Sequence, residues 1–225
     1  MSHTDSVSAP APAPASAAAV VRSIAASAGA EGLEYREILR RADRRGYAPF
    51  ILFAALLLLL PINIFFPQLA ALTLLVCGAG LFFNAPTPWL PLIAKRKANQ
   101  AALDKVAGFI ASQESWLSAI VAPRHPELST GAGEKTAALA MILIGVSVAA
   151  PLPHVIPALA ALALALGLFE RDGLVLMIGA AVSFGWVAFL TTMLGGLVAG
   201  ASFASDWGQD HALWLVKIVG GGGQP

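Results

Sequence analysis

PLPHVIPALAALALALGLFERDGL, residues 151–174, is an apolar run opened by three prolines and stopped by Glu-Arg-Asp. A core helix of a soluble protein has no use for such boundaries. A membrane helix does, yet this one is too short to cross alone, since a full span takes about 20 apolar residues. The stretch therefore reads as one arm of something built from short membrane helices.

The rest of the chain agrees. Of its 225 residues, 57% are apolar and 12% charged, against about 25% charged in soluble domains. No Asp, Glu, Lys or Arg occurs between Tyr47 and Trp89, between Thr136 and Phe169, or from Gly173 to Ser205. Uncharged runs of this length read as membrane-embedded. A net charge of +1 points to no nucleic-acid partner. The single cysteine, Cys77, excludes an intramolecular disulfide and a cysteine-cluster zinc site, and reads as a small apolar filler.

The first apolar block, 47–83, is broken by Pro61 and Pro67. Its opening part, YAPFILFAALLLLL (47–60), reaches only about 21 Å as helix, short of the roughly 30 Å hydrocarbon core. The whole block would extend about 55 Å, too little for two crossings and a turn. Two short helices meeting at a Pro-rich bend fit better. Backbone at such a bend must be buried in protein or line a wet cavity. The second block breaks in the same way at Pro151, Pro153 and Pro157.

A shift of ninety residues superimposes the two blocks. Pro61, Pro67, Leu69, Ala70, Ala71, Leu72 and Leu74 fall on Pro151, Pro157, Leu159, Ala160, Ala161, Leu162 and Leu164. GLF at 80–82 then matches GLF at 167–169 after a three-residue slip. Paired prolines six apart in the middle of each block predict an internal duplication. The expected fold is an all-α integral membrane protein of two Pro-broken helical hairpins plus a further C-terminal transmembrane helix or hairpin.

Between and around the blocks the chain is polar. Residues 1–31 are Ala/Pro-rich and read as a disordered leader. Residues 32–46 form a basic amphipathic helix, with Tyr35, Ile38, Leu39 and Ala42 on one face, Arg36, Arg40, Arg41, Arg44 and Arg45 largely on the other, and Glu37 placed to pair with Arg41. Such a helix suits an anionic membrane surface. Residues 84–135 are an amphipathic segment with Leu103, Val106, Ile110, Leu117 and Ile120 near heptad spacing and with Trp89 and Trp116 as interfacial residues. Six Lys/Arg precede the first block and six lie from Lys95 to Lys135, which places both segments, and the N-terminus, in the cytoplasm. Each hairpin then enters and leaves on one side, and Glu170-Arg171-Asp172-Gly173 is a cytoplasmic turn in which Gly173 supplies the bend. Residues 136–203 hold the second hairpin and a C-terminal span, or a hairpin at Gly195-Gly196, and 204–225 are a tail.

LLLLLPINIFFPQLAALTLL (56–75), PWLP (88–91) and above all PALAALALALGLFERDGL (157–174) resemble the ExoD exopolysaccharide-synthesis family, over about residues 33–200. GLFERDG, 167–173, is the most specific part. Family members often carry Asn just before the last proline of the second bend, where this chain has His154-Val155-Ile156-Pro157; Asn63 occupies the first bend. The resemblance implies a bacterial inner-membrane protein linked to surface polysaccharide and brings no known reaction with it.

Candidate functional residues are the charged cluster Glu170, Arg171 and Asp172 against the second hairpin, since membrane-adjacent charges mark ion or lipid-phosphate pathways, or else form a hydrated helix end. His154 is a bend residue able to titrate near neutral pH, and Asn63 could satisfy freed backbone groups. GLVAG at 196–200 is a close-packing motif of small residues. No nucleophile motif, metal-ligand cluster, phosphate loop or dinucleotide fingerprint appears, so no enzyme, cofactor or metal is expected. The expected partners are the bilayer and polysaccharide-synthesis proteins, with a homo-oligomer left open. Two functions remain: transport of an ion or lipid-linked anion at the broken helices, and a non-catalytic accessory of the synthesis machinery.

Overall fold

The computed structural model describes residues 17–27, 32–60, 65–85, 97–121, 123–149 and 153–220. Pro61, Asn63, Trp89 and Pro151 lie outside the described residues, as do positions 1–16. Among the described residues eight α-helices run in chain order, α1 (Ala17–Ala26), α2 (Tyr35–Ala42), α3 (Ala48–Leu59), α4 (Phe66–Phe82), α5 (Gln100–Ile120), α6 (Ala132–Val148), α7 (Val155–Glu170) and α8 (Gly173–Gly220). Two-residue strands β1 (Leu33–Glu34) and β2 (Lys97–Ala98) pair antiparallel. The all-α expectation thus holds. The chain divides into two compact units between Ser183 and Phe184.

Within the first unit, α3, α4, α6 and α7 pack as a four-helix bundle. α4 packs most extensively on α6 and α3 on α7, with α3 against α4 and α6 against α7. Local sequence explains the helix starts. Pro49 and Pro67 sit in the first turns of α3 and α4, where a missing N–H costs nothing and the fixed φ suits a helix. Pro157 is likewise in the first turn of α7. Pro67 and Pro157 therefore open helices, whereas the bend before α7 includes exposed Pro153.

The bundle interior interleaves small residues with larger ones. Ala54, Ala55, Ala70, Ala138 and Ala161 are sealed from solvent, and so are Ile51, Leu74, Met141, Ile144 and Leu164. Phe53, Leu56, Leu72, Val146 and Leu159 face outward, each at least half exposed. Small interior residues let backbones approach closely, the packing used where the surroundings are as apolar as leucine. The glycines mark the tightest places. A Cβ on Gly78 would sit 2.9 Å from the Ala138 carbonyl oxygen on α6, and one on Gly167 would sit 2.5 Å from the Leu176 nitrogen on α8.

The segments outside the bundle depart from expectation in three ways. Residues 17–26, assigned to the disordered leader, form α1, which packs on α5; Ala25, Ala98, Leu103 and Ala107 make a small separate core with Val21, Leu33 and Ile38 against it. The basic helix spans only Tyr35–Ala42, because Leu33 and Glu34 pair with β2 and Asp43–Tyr47 tighten into a 3-10 turn. On α5 the buried face is Leu103 and Ala107, while Val106 is half exposed: small Ala107, one turn from Leu103, is the residue that faces the core. The side chains of Trp116, Leu117 and Ile120 fall outside the described residues.

The C-terminal region also differs. α8 is helical through Gly195 and Gly196 and on to Gly220, so the alternative of a further hairpin at Gly195-Gly196 does not form and most of the expected tail is helix. Gly196 and Gly200 face open space. Among the described residues one helical stretch, Gly173–Ser202, is long and apolar enough to cross a membrane; Phe66–Phe82 and Val155–Glu170 are shorter apolar helices. In the second unit Trp186 and Phe189 stack with ring centroids 5.7 Å apart.

Gly173 tests the tight packing. A Cβ there would meet the His125 carbonyl oxygen at 2.2 Å, whereas one on Gly108 meets nothing within 4 Å. Gly173→Ala should lower thermal stability in detergent by about 1–3 kcal/mol. Gly108→Ala, in a helix interior, should be neutral or stabilising by up to about 1 kcal/mol. Equal effects of the two would contradict the packing described.

Candidate functional site

Arg44, Tyr47, Ala85, Glu134 and the α7–α8 corner meet at one end of the bundle, opposite the proline-bearing bends. The elements that bring them there are the 3-10 turn before α3, the C-terminus of α4, the first turn of α6 and the corner itself. This end collects the charges that the uncharged blocks lack.

The corner is made by Glu170-Arg171-Asp172-Gly173. Glu170 is the last residue of α7, and Arg171 takes the left-handed conformation, φ 56°. The Asp172 N–H donates to the Gly167 carbonyl at 2.9 Å, the six-to-one bond that closes a helix C-terminus. Asp172, fully buried, then caps α8: its Oδ1 accepts from the N–H groups of Leu174 at 3.0 Å and Val175 at 3.1 Å. An aspartate N-cap is worth about 1 kcal/mol. Gly173 was expected to supply the bend; instead Arg171 supplies it, and Gly173 is the first residue of α8. Its N–H bonds the Arg124 carbonyl at 2.8 Å, and a side chain would collide with His125, which is why glycine stands there.

α4 ends by the same device. Asn84 has φ 57°, and the Ala85 N–H donates to the Gly80 carbonyl at 2.8 Å. Arg44 binds this end, its guanidinium donating to Asn84 Oδ1 at 3.1 Å and to the Ala85 carbonyl at 3.3 Å, while the Tyr47 hydroxyl donates to the same carbonyl at 2.9 Å. Across the bundle, Arg44 Nε lies 3.0 Å from Oε1 of buried Glu134. That oxygen accepts no hydrogen bond, so the contact is a charge pair rather than a directed bond. Arg171 reaches Asp43 Oδ2 at 2.9 Å, an exposed pair worth about 0–1 kcal/mol.

The electrostatics follow from burial. Glu134 precedes the uncharged stretch of α6, and desolvation raises its pKa, with Arg44 opposing. Burial lowers the Arg45 pKa; Arg171 adds to this, and Glu170 and Asp43 oppose it. On the exposed helix α2, hydrogen bonds from Arg40 and Arg41 hold Glu37 down to about 2. Glu37 thus pairs with Arg40 as well as with the expected Arg41.

The predicted site residues do not converge. Glu170, Arg171 and Asp172 are at the charged end, while His154 precedes the first turn of α7, and its carbonyl accepts from Ala158 at 2.9 Å. Sixteen residues of helix separate His154 from Glu170, about 24 Å. Asn63 lies outside the described residues. Among the described residues, no cluster of His, Cys, Asp and Glu could hold a metal ion. Sequence reasoning missed the roles of Asp43, Arg44, Asn84 and Glu134. One signal was available: Arg44 and Glu134 are ninety residues apart, the same offset as the prolines.

The chain belongs to the ExoD family, described as exopolysaccharide synthesis, whose family model matches residues 17–192. No curated protein and no solved structure matches it.

Two outcomes check this geometry. Asp172→Ala should cost about 1–2 kcal/mol of stability and Asp172→Asn much less, because asparagine also caps; a thermal melt compares them. A raised carboxyl pKa means the folded state holds its proton more tightly, so stability is lost as pH rises from the ordinary value of 4.5 through the raised folded value. The stability of the wild type relative to Glu134→Gln should therefore fall as pH rises from 4.5, measured by melts across pH. A rising difference would reverse the assignment.

Proposed function

We propose that this chain is a non-enzymic, multi-pass protein of the bacterial inner membrane that serves exopolysaccharide synthesis as an accessory of the synthesis machinery. Its N-terminus and both ends of each hairpin face the cytoplasm. The observation that carries the reading is the division of the bundle. Large apolar side chains such as Phe53, Leu56 and Leu72 stand exposed on its outside, and charged side chains gather at one end. Those groups are spent on capping and pairing: Asp172 on α8, Arg44 on α4 and Glu134, Arg171 on Asp43. That use supports a structural element over a catalyst.

Several observations support an internal duplication beneath this architecture. At the ninety-residue offset, buried Pro67, Ala70, Ala71 and Leu74 correspond to buried Pro157, Ala160, Ala161 and Leu164, and exposed Leu69 to exposed Leu159. Buried Ala48, Ile51, Ala54, Ala55 and Leu58 correspond to buried Ala138, Met141, Ile144, Gly145 and Val148. After the slip, Asn84 corresponds to Arg171, and the bond from Ala85 to Gly80 to the one from Asp172 to Gly167. The GLF repeat is thus a helix-ending signal. Exchanging the copies also turns the extensive α3–α7 contact into the extensive α6–α4 contact, whereas α3–α4 is much larger than its counterpart α6–α7.

The polar segments supply the partner surface. α2 exposes Arg36, Arg40 and Arg41, suited to an anionic cytoplasmic leaflet or an acidic partner protein. A second reading, transport of an ion or lipid-linked anion, is favoured by the restart of α4 and α7 behind proline-bearing bends in matching positions; broken helices at such points present helix ends to an ion.

Complementation of a null strain separates the two. On the accessory reading, Glu170→Gln and Arg171→Ala leave surface polysaccharide normal when membrane levels hold, and neutralising Arg36, Arg40 and Arg41 together lowers it several-fold. Loss of polysaccharide in Glu170→Gln at normal protein level, together with ion flux or lipid movement by reconstituted protein, would favour transport instead.

A further inference from the structure

Arg44 and Glu134 are equivalent positions under the ninety-residue offset, yet they touch each other, Nε to Oε1 at 3.0 Å. In a two-fold arrangement only positions on the axis meet their own equivalents. The pair therefore lies on the axis relating the two hairpins, at the charged end, and it is the place where the copies differ most in chemistry: arginine in one, glutamate in the other.

We propose that this pair is a recognition device that makes hairpin 1 select hairpin 2 and reject a second copy of itself. The inference rests on the duplication proposed above. Two hairpins with matching buried faces have matching surfaces, so hairpin 1 of one chain can dock on hairpin 1 of another by the contacts it makes with hairpin 2. Tethering favours the partner on the same chain but does not forbid the others in a crowded membrane. The axis position does forbid them. Pairing like with like puts Arg44 against Arg44, or Glu134 against Glu134, in a half-buried to buried site where like charges cost several kcal/mol. Only the unlike pairing joins cation to anion. A single buried polar contact fixing which helices pair is a use for which such contacts are attested. It offsets the cost of burying Glu134, whose Oε1 has no directed bond, by specificity rather than by stability.

The test uses the full chain with cross-links on the wrong pairing. Leu75 touches position 145: a Cβ on Gly145 would lie 3.1 Å from Leu75 Cγ. The offset puts Ala55 at the place of Gly145, so a 1–1 pairing brings Leu75 of one chain to Ala55 of another. Leu75→Cys and Ala55→Cys are introduced together in a Cys77→Ala background, and oxidised dimer is scored on denaturing gels. Dimer should be scarce with Arg44 and Glu134 present, rise roughly tenfold or more in Arg44→Gln/Glu134→Gln, where like pairings no longer repel, and fall again in the reversed pair Arg44→Glu/Glu134→Arg. Dimer that is equal in all three, or absent from all three, overturns the inference.

A thermal melt of the reversed pair, in the native-cysteine chain, separates this failure from failure of the duplication. Equivalent positions tolerate exchange, so the reversed pair should melt well above Arg44→Gln/Glu134→Arg, which equally lacks the Arg44 bonds to Asn84 and Ala85; the field of Arg171 at position 134 keeps it below the wild type. A reversed pair that melts no higher than that variant means the positions are not equivalent and the duplication falls. A higher melt with charge-insensitive dimer leaves the duplication standing and sinks only the selection.

Discussion

Close approach of helix backbones through alanine and glycine is the constraint on which this structure depends. Ala54, Ala70, Ala138 and Ala161 are inside and let the backbones approach, and Ile51, Leu74, Met141, Ile144 and Leu164 fill the space between them. The same close approach explains the glycines: Gly78 against α6, Gly167 and Gly179 at the α7–α8 contact, and Gly80 under the Tyr47 hydroxyl. A methyl group at any of these meets a neighbour closer than ordinary packing allows.

Short helices follow from the same constraint. α3, with twelve residues, and α4, α6 and α7, with sixteen or seventeen, each extend about 18–26 Å. Every helix end exposes carbonyls or N–H groups that apolar surroundings cannot satisfy. The charged end solves this with side chains: Asp172 for the start of α8, Arg44 and Tyr47 for the end of α4, and left-handed Asn84 and Arg171 for closing turns. Arg171 and Asp172, whose charges mark an ion or lipid-phosphate pathway or a hydrated helix end in the sequence, here close α7 and cap α8. Membership of the ExoD family ties this architecture to exopolysaccharide synthesis.

Much of the architecture was legible in the chain. Missing charge over three long stretches marked the apolar helices, prolines six apart marked where helices restart, and the repeated GLF marked where they end, because each reflects a local rule of helix chemistry. The site was less legible. Glu170, Arg171 and Asp172 were visible as a cluster, but their roles were not: sequence shows that Asp172 is charged, not that its carboxylate points at the N–H groups of Leu174 and Val175. Gly173 looked like the bend, because glycine favours left-handed backbone, yet Arg171 adopts that conformation, and Gly173 is small because His125 crowds it.

Sequence by itself determined the local elements: the apolar runs, their breaks, the basic character of α2 and the ninety-residue echo. It could not determine that α1 packs on α5, that Ala107 rather than Val106 is buried, or that α8 continues through Gly195-Gly196, since each depends on neighbours distant in the chain or on the absence of a competing contact. The pairing of Arg44 with Glu134 was decided by tertiary structure alone. Two charges ninety residues apart meet only when the helices that carry them pack together, and that closure is a property of the packed bundle that no single helix encodes.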